Sequence, residues 1–95
     1  MASERTLLIT NAGLRAFNKN PLTKVETTVL WHLAMTLPVP GAAISHVALG
    51  KEVSVTNIKI GRTMKRFCEN GFLIRGARMG LNYHYKLNPL FFRLL

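Results

Sequence analysis

The sequence predicts an α+β domain spanning residues 1–95, with short helices through the first two thirds and a β-hairpin after them. Three observations predict it. Residues 23–36 and 45–70 repeat apolar side chains every three or four positions behind good capping residues, which is helical spacing. Tyr83, Tyr85 and Leu87 alternate with His84 and Lys86, the period of a half-buried strand. Asn20-Pro21, Pro38, Pro40-Gly41 and Asn70-Gly71 punctuate the chain where the periodicity breaks. At 95 residues and 48% hydrophobic, the chain can bury ~60–70% of its unfolded surface in one modest core.

Residues 6–10 (TLLIT) are apolar and β-prone; at this length they fit an edge strand or the lead-in to a helix equally. Leu14, Ala16 and Phe17 suggest one or two helical turns, ended by Asn20-Pro21, with Arg15, Lys19 and Lys24 as solvated surface. Thr23 and Glu26 have capping-box spacing, so a helix starts there and runs to about residue 36. Val25, Val29, Leu33 and Leu37 recur every four residues, and Leu30 and Ala34 widen the stripe, which makes this the buried support of the domain. Trp31 and His32 lie on its flanks, His32 as a partly buried structural histidine.

Residues 42–44 read as a short apolar strand leading to Ser45, which caps a helix over 46–53 with Leu49 and Val53 facing inward. Gly50 marks a close approach between two helices. Ser54 and Val55 form a turn, with Val55 as its apolar plug, and Thr56 caps the next helix, 57–69. There Ile60, Met64 and Phe67 share one face, with Cys68 at its edge. The opposite side presents Ile58, Arg62 and Lys65, flanked by Lys59 and Arg66. Two strands, 72–75 and 83–87, then flank a loop over 76–82 and expose Arg75, Arg78 and Lys86. Asn88-Pro89 stops the second strand. The tail 90–95 (LFFRLL) is apolar enough that it must pack on the core or on a second subunit.

Charge narrows the function classes. Thirteen Lys and Arg against four Asp and Glu give a formal net charge of +9, which implies a polyanionic partner, nucleic acid before an anionic membrane. Cys68 is the single cysteine, so an intrachain disulfide and a cysteine zinc site are both excluded, as suits a reducing compartment. The opening residues lack a signal-peptide pattern, and no apolar run approaches the ~20 residues of a membrane span. Glu4, Glu26, Glu52 and Glu69 are scattered; His32, His46 and His84 have no metal-ligand spacing; no glycine-rich nucleotide loop occurs. An enzyme, a metal and a cofactor are therefore not expected.

The run Ser45, Leu49-Gly50, Val53-Ser54-Val55-Thr56, Ile60, Met64, Phe67, Gly71-Phe72-Leu73 resembles the helix-turn-helix core shared by bacterial winged-helix regulators. The likeness covers residues 42–87, with the helix-turn-helix at 45–70, the wing at 72–87 and the tail at 88–95. Two positions depart from the pattern: Gly50 stands where Ala is usual, and Ser54 where the turn usually has Gly. Tyr83, Tyr85 and Leu87-Asn88-Pro89 are also similar to the ending of small plasmid replication proteins of the winged-helix type. The resemblance implies a plasmid or phage protein in the prokaryotic cytoplasm, associated with nucleoid or plasmid. Such a protein binds double-stranded DNA at its own origin or promoter, in transcription regulation or in replication and maintenance. A homodimer is a separate expectation, since most helix-turn-helix readers bind as symmetric pairs, and the apolar segments 6–10 and 90–95 are its candidate contacts.

On that reading the second helix enters the major groove. Arg62 suits the O6/N7 edge of guanine, Asn57 adenine and Ile58 a thymine methyl. Gly61, which lowers helix propensity by roughly 1 kcal/mol relative to Ala, implies close approach to the preceding helix or to a DNA backbone. Thr56, Lys59, Lys65 and Arg66 serve phosphates; Arg75, Arg78 and Lys86 reach adjacent phosphates or the minor groove. The alternative is a winged-helix module for RNA, with the tyrosines stacking on bases, or for a protein partner.

Overall fold

The computed structural model describes residues 5–95, so Glu4 lies outside the described residues. Four helices and two small antiparallel sheets make an α+β architecture. The predicted support helix is α2 (Lys24–Thr36), and both halves of its capping box form. The Glu26 amide donates to Thr23 Oγ1 at 3.2 Å, and the Thr23 amide donates to Glu26 Oε1 at 2.9 Å. Val29, Leu30 and Leu33 of α2 are buried, as the four-residue repeat requires. His32 is structural as expected: its Nε2 lies 2.6 Å from Glu52 Oε2 and ties α2 to the next helix in the chain.

The first helix, α1 (Asn11–Lys19), is longer than one or two turns because Thr10 caps it, its hydroxyl accepting from the Gly13 amide. Before it, Leu7–Ile9 is a strand, β1, which settles the choice left open for TLLIT. Its partner comes from the tail: β1 pairs antiparallel with β5 (Phe92–Leu94), Leu7 opposite Leu94 and Ile9 opposite Phe92. The two apolar segments, candidates for packing on the core or on a second subunit, thus pair with each other within the chain. Phe92 is buried, while Leu8, Leu90 and Leu95 remain exposed.

The second sheet has the order β2 (Ala42–Ile44), β4 (Asn82–Leu87), β3 (Leu73–Met79). β3 is longer than residues 72–75, and the loop expected over 76–82 is mostly strand. Met79 pairs with Asn82, so only Gly80-Leu81 turn the corner. Gly80 has φ +66° and Leu81 does not have positive φ, which fits the type II′ hairpin with glycine first. A register shift between Arg75 and Arg78 marks a bulge.

Between β2 and β3 in the chain run α3 (His46–Val53) and α4 (Asn57–Asn70), capped by Ser45 and Thr56. The core is continuous through both: Ile60, Met64 and Phe67 of α4 are fully buried with Leu30, Val29, Phe72 and Leu73. Each such side chain contributes about 1.5–3 kcal/mol by leaving water. Phe72 is the aromatic hub, with Phe17 at 4.8 Å, Phe91 at 5.9 Å and Phe67 at 6.2 Å between centroids. Asn88 holds the tail to the end of α4, its Nδ2 donating to the Gly71 carbonyl at 2.8 Å.

Candidate nucleic-acid interface

The turn between α3 and α4 fixes where α4 points. Gly50 has no room for a side chain, since a Cβ there would overlap the Val55 carbonyl oxygen. The contact is therefore with the turn's backbone, and the Val55 amide also donates to the Gly50 carbonyl at 2.8 Å. Close approach to α4 is not the reason; the nearest α4 atom to that Cβ is in the Ile60 side chain at an ordinary 3.6 Å. Ser54 follows in the left-handed region, φ 58° and ψ 46°, the one non-glycine residue there among the described residues. That conformation costs an L-residue with a Cβ about 1–2 kcal/mol.

Thr56 caps α4, its hydroxyl accepting from the Lys59 amide at 3.3 Å. Its own O–H proton stays available to a partner, and the Asn57 carboxamide is not used for the cap. Along α4 the buried positions are Ile60, Thr63, Met64 and Phe67. Facing the other way are Ile58, Arg62 and Lys65, all exposed, with Ile58 69% exposed despite its apolar side chain. Glu69 continues that row at helical spacing and is exposed too, a position sequence reasoning passed over although the 100° step places it there. Thr63, also passed over, is a buried polar residue on the core side.

Two grooves flank the row. One, toward the start of α2, is lined by Lys59, Arg62 and Arg66 with Thr23, Val25 and Glu26. Here Arg66 is engaged: its Nε donates to Glu26 Oε2 at 2.9 Å, and the Glu26 side chain is only 9% exposed. Glu26 thus closes the α2 cap with one oxygen and anchors α4 with the other. Arg66, expected on a phosphate, is a tie between helices. The other groove is a cleft between α4 and the hairpin, lined by Gly61, Lys65 and Glu69 on one side and by Arg75, Tyr83 and Tyr85 on the other. His46 closes its end from α3, with Nε2 3.4 Å from the Tyr85 hydroxyl.

The bulge decides where the hairpin arginines go. Strict alternation would send Arg75 and Arg78, three apart, to opposite faces of β3. With the extra residue at the bulge, Arg75 pairs with Tyr85 and Arg78 with Tyr83, both partners on one face of β4. Arg75 stacks its guanidinium 4.6 Å from the Tyr83 ring centre. Arg78 Nε donates to the Gly80 carbonyl at 3.0 Å and braces the turn. Lys86 is not gathered in: it pairs with Ile74 on the far face of the sheet, beside Pro38, Val39 and Pro89.

Gly61 is not a packing glycine. A Cβ there would meet only His46 Nδ1, at 3.7 Å, so α3 does not exclude a side chain. Beside it, burial pushes the Cys68 thiol up from its ordinary 9.0; the Arg75 charge opposes this and Glu69 adds to it. Burial likewise raises the Tyr85 hydroxyl above 10.0, with further, smaller electrostatic contributions of both signs from its neighbours. Both shifts favour the neutral form of the group. Among the described residues only Arg66 and His32 approach a carboxylate within ion-pair distance, which leaves Lys59, Arg62, Lys65, Arg75 and Arg78 available to an anion. No group of three or more potential metal ligands occurs among them, and no helix is long and apolar enough to cross a membrane. Comparison with protein-family models, curated proteins and solved structures gives no match.

Proposed function

We propose that the chain is a sequence-specific double-stranded DNA-binding protein of winged helix-turn-helix architecture. In this reading α3, the Ser54 turn and α4 form the helix-turn-helix, and β3–β4 is the wing. The single observation that carries it is the row Ile58, Arg62 and Lys65, outward on α4, with Arg75 across the cleft from Lys65 and Arg78 on the same face of the hairpin as Arg75. A helix of this width fits the major groove, with Asn57, Ile58 and Arg62 toward base edges. Thr56, Lys59 and Lys65 serve the backbone, and the wing arginines the adjoining phosphates or minor groove. The net charge of +9 supports the same partner. A plasmid or phage setting, with a role in transcription regulation or in replication and maintenance, rests on the resemblance of the Tyr83–Pro89 ending alone.

Duplex binding measured across a salt series, followed by footprinting on DNA flanking the gene, tests this. A reader loses affinity steeply as salt rises, with a log–log slope of about −0.9 per phosphate contacted. Arg62→Ala should cost about 1–3 kcal/mol at a preferred site and relax preference at one base pair. Absence of duplex binding at low salt overturns the reading.

A further inference from the structure

We propose that the cleft between α4 and the hairpin is a seat for one backbone phosphate, served jointly by Lys65 and Arg75 and closed by His46. The inference rests on the DNA reading above and adds which groups share a single contact. Lys65 projects from α4 and Arg75 from β3, yet both line the same cleft, and neither has a carboxylate partner. The Arg75 guanidinium lies over the Tyr83 ring, which restricts it to the cleft while leaving its charge unneutralised. Gly61 contributes a wall without a side chain, although the fold has space for one there. His46 and the Tyr85 hydroxyl supply further hydrogen-bonding groups at the closed end. One group works against an anion: Glu69 lines the cleft one turn beyond Lys65 and has no cation within ion-pair distance among the described residues. In the DNA-bound chain its carboxylate lies beside the phosphate and weakens the contact.

The tests follow from that geometry. Glu69→Gln should tighten duplex binding about 3–10-fold at low salt, as expected for removing one like charge at contact range. A gain cannot come from misfolding, and unchanged or weaker binding overturns the seat. Salt slopes count phosphates, so the double variant Lys65→Gln/Arg75→Gln should lose about 0.9 of slope, one phosphate's worth, whatever each single variant loses. A loss near 1.8 means two separate phosphates and overturns the shared seat. If the wild-type chain binds no duplex, the DNA reading fails by itself. Titration with inorganic phosphate, followed by NMR, then decides the seat alone: shifts at His46, Gly61 and Lys65 retain it, and their absence removes it.

Discussion

At the turn between α3 and α4, backbone packs against backbone: a Cβ on Gly50 would collide with the Val55 carbonyl. Within α4 itself, Gly61 has an open neighbourhood whose nearest atom, Nδ1 of His46 in α3, is 3.7 Å from where its Cβ would stand. The same residue type thus serves opposite ends. Gly50 is demanded by the fold and sets the angle at which α4 leaves the turn. Gly61 costs helix propensity with no packing return in the fold, and on the proposed reading its bare backbone faces the DNA. The closed flank positions the helix, and on the proposed reading the open flank takes the DNA.

The largest effect that would break this contrast is at the closed flank. Gly50→Ala must shift the turn, and we expect a loss of about 1–3 kcal/mol in denaturant unfolding; a neutral result would mean that the turn yields freely. Next comes Ser54→Gly, which relieves the left-handed strain and should stabilise by about 1 kcal/mol. Its duplex affinity should be unchanged, because the turn keeps its shape. At the open flank, Gly61→Ala should raise stability by up to about 1 kcal/mol while weakening DNA binding, measured on the same preparation. If binding holds, Gly61 answers neither to packing nor to DNA.

The smallest effect concerns pH. Cys68 and Tyr85 both have folded values above their ordinary 9.0 and 10.0, so the folded chain keeps protons that the unfolded chain releases. Their contribution to stability is complete below about pH 9 and falls as pH rises past it. Melting temperature should therefore drop from pH 8 to pH 10.5, and Cys68→Ala should remove the earlier part of that drop. A flat profile would mean that neither group is desolvated.

Much of this was legible in the sequence where the chemistry is local. The Thr23–Glu26 box, the caps at Ser45 and Thr56, and the inner face of α4 depend on residues within one or two turns, and each formed as the spacing predicts. Helical spacing also contained Glu69, which a longer reading of the same row would have included. What escaped is non-local. Arg66 looks solvated until Glu26, forty positions earlier, is brought beside it. Gly76-Ala77-Arg78 reads as loop because a bulge interrupts the alternation that identifies a strand, and only pairing with β4 reveals it. Lys86 was grouped with those arginines by charge alone, whereas its parity along β4 sends it to the other face. The apolar ends found each other because Leu7 and Leu94 complete one sheet, which no window of sequence displays.

That last pairing carries a consequence for the order in which the molecule assembles. The hairpin and the α3–α4 pair join neighbours in sequence, so they can form early and cheaply. The β1–β5 clasp must close a loop of nearly the whole described chain, and its entropy cost is met only once the rest is in place. It is also two short strands with one free edge each, the weakest unit of the architecture. Hydrogen exchange at Leu8 and Arg93 should accordingly outpace exchange in α4, and the clasp should be the last part to form and the first to fray.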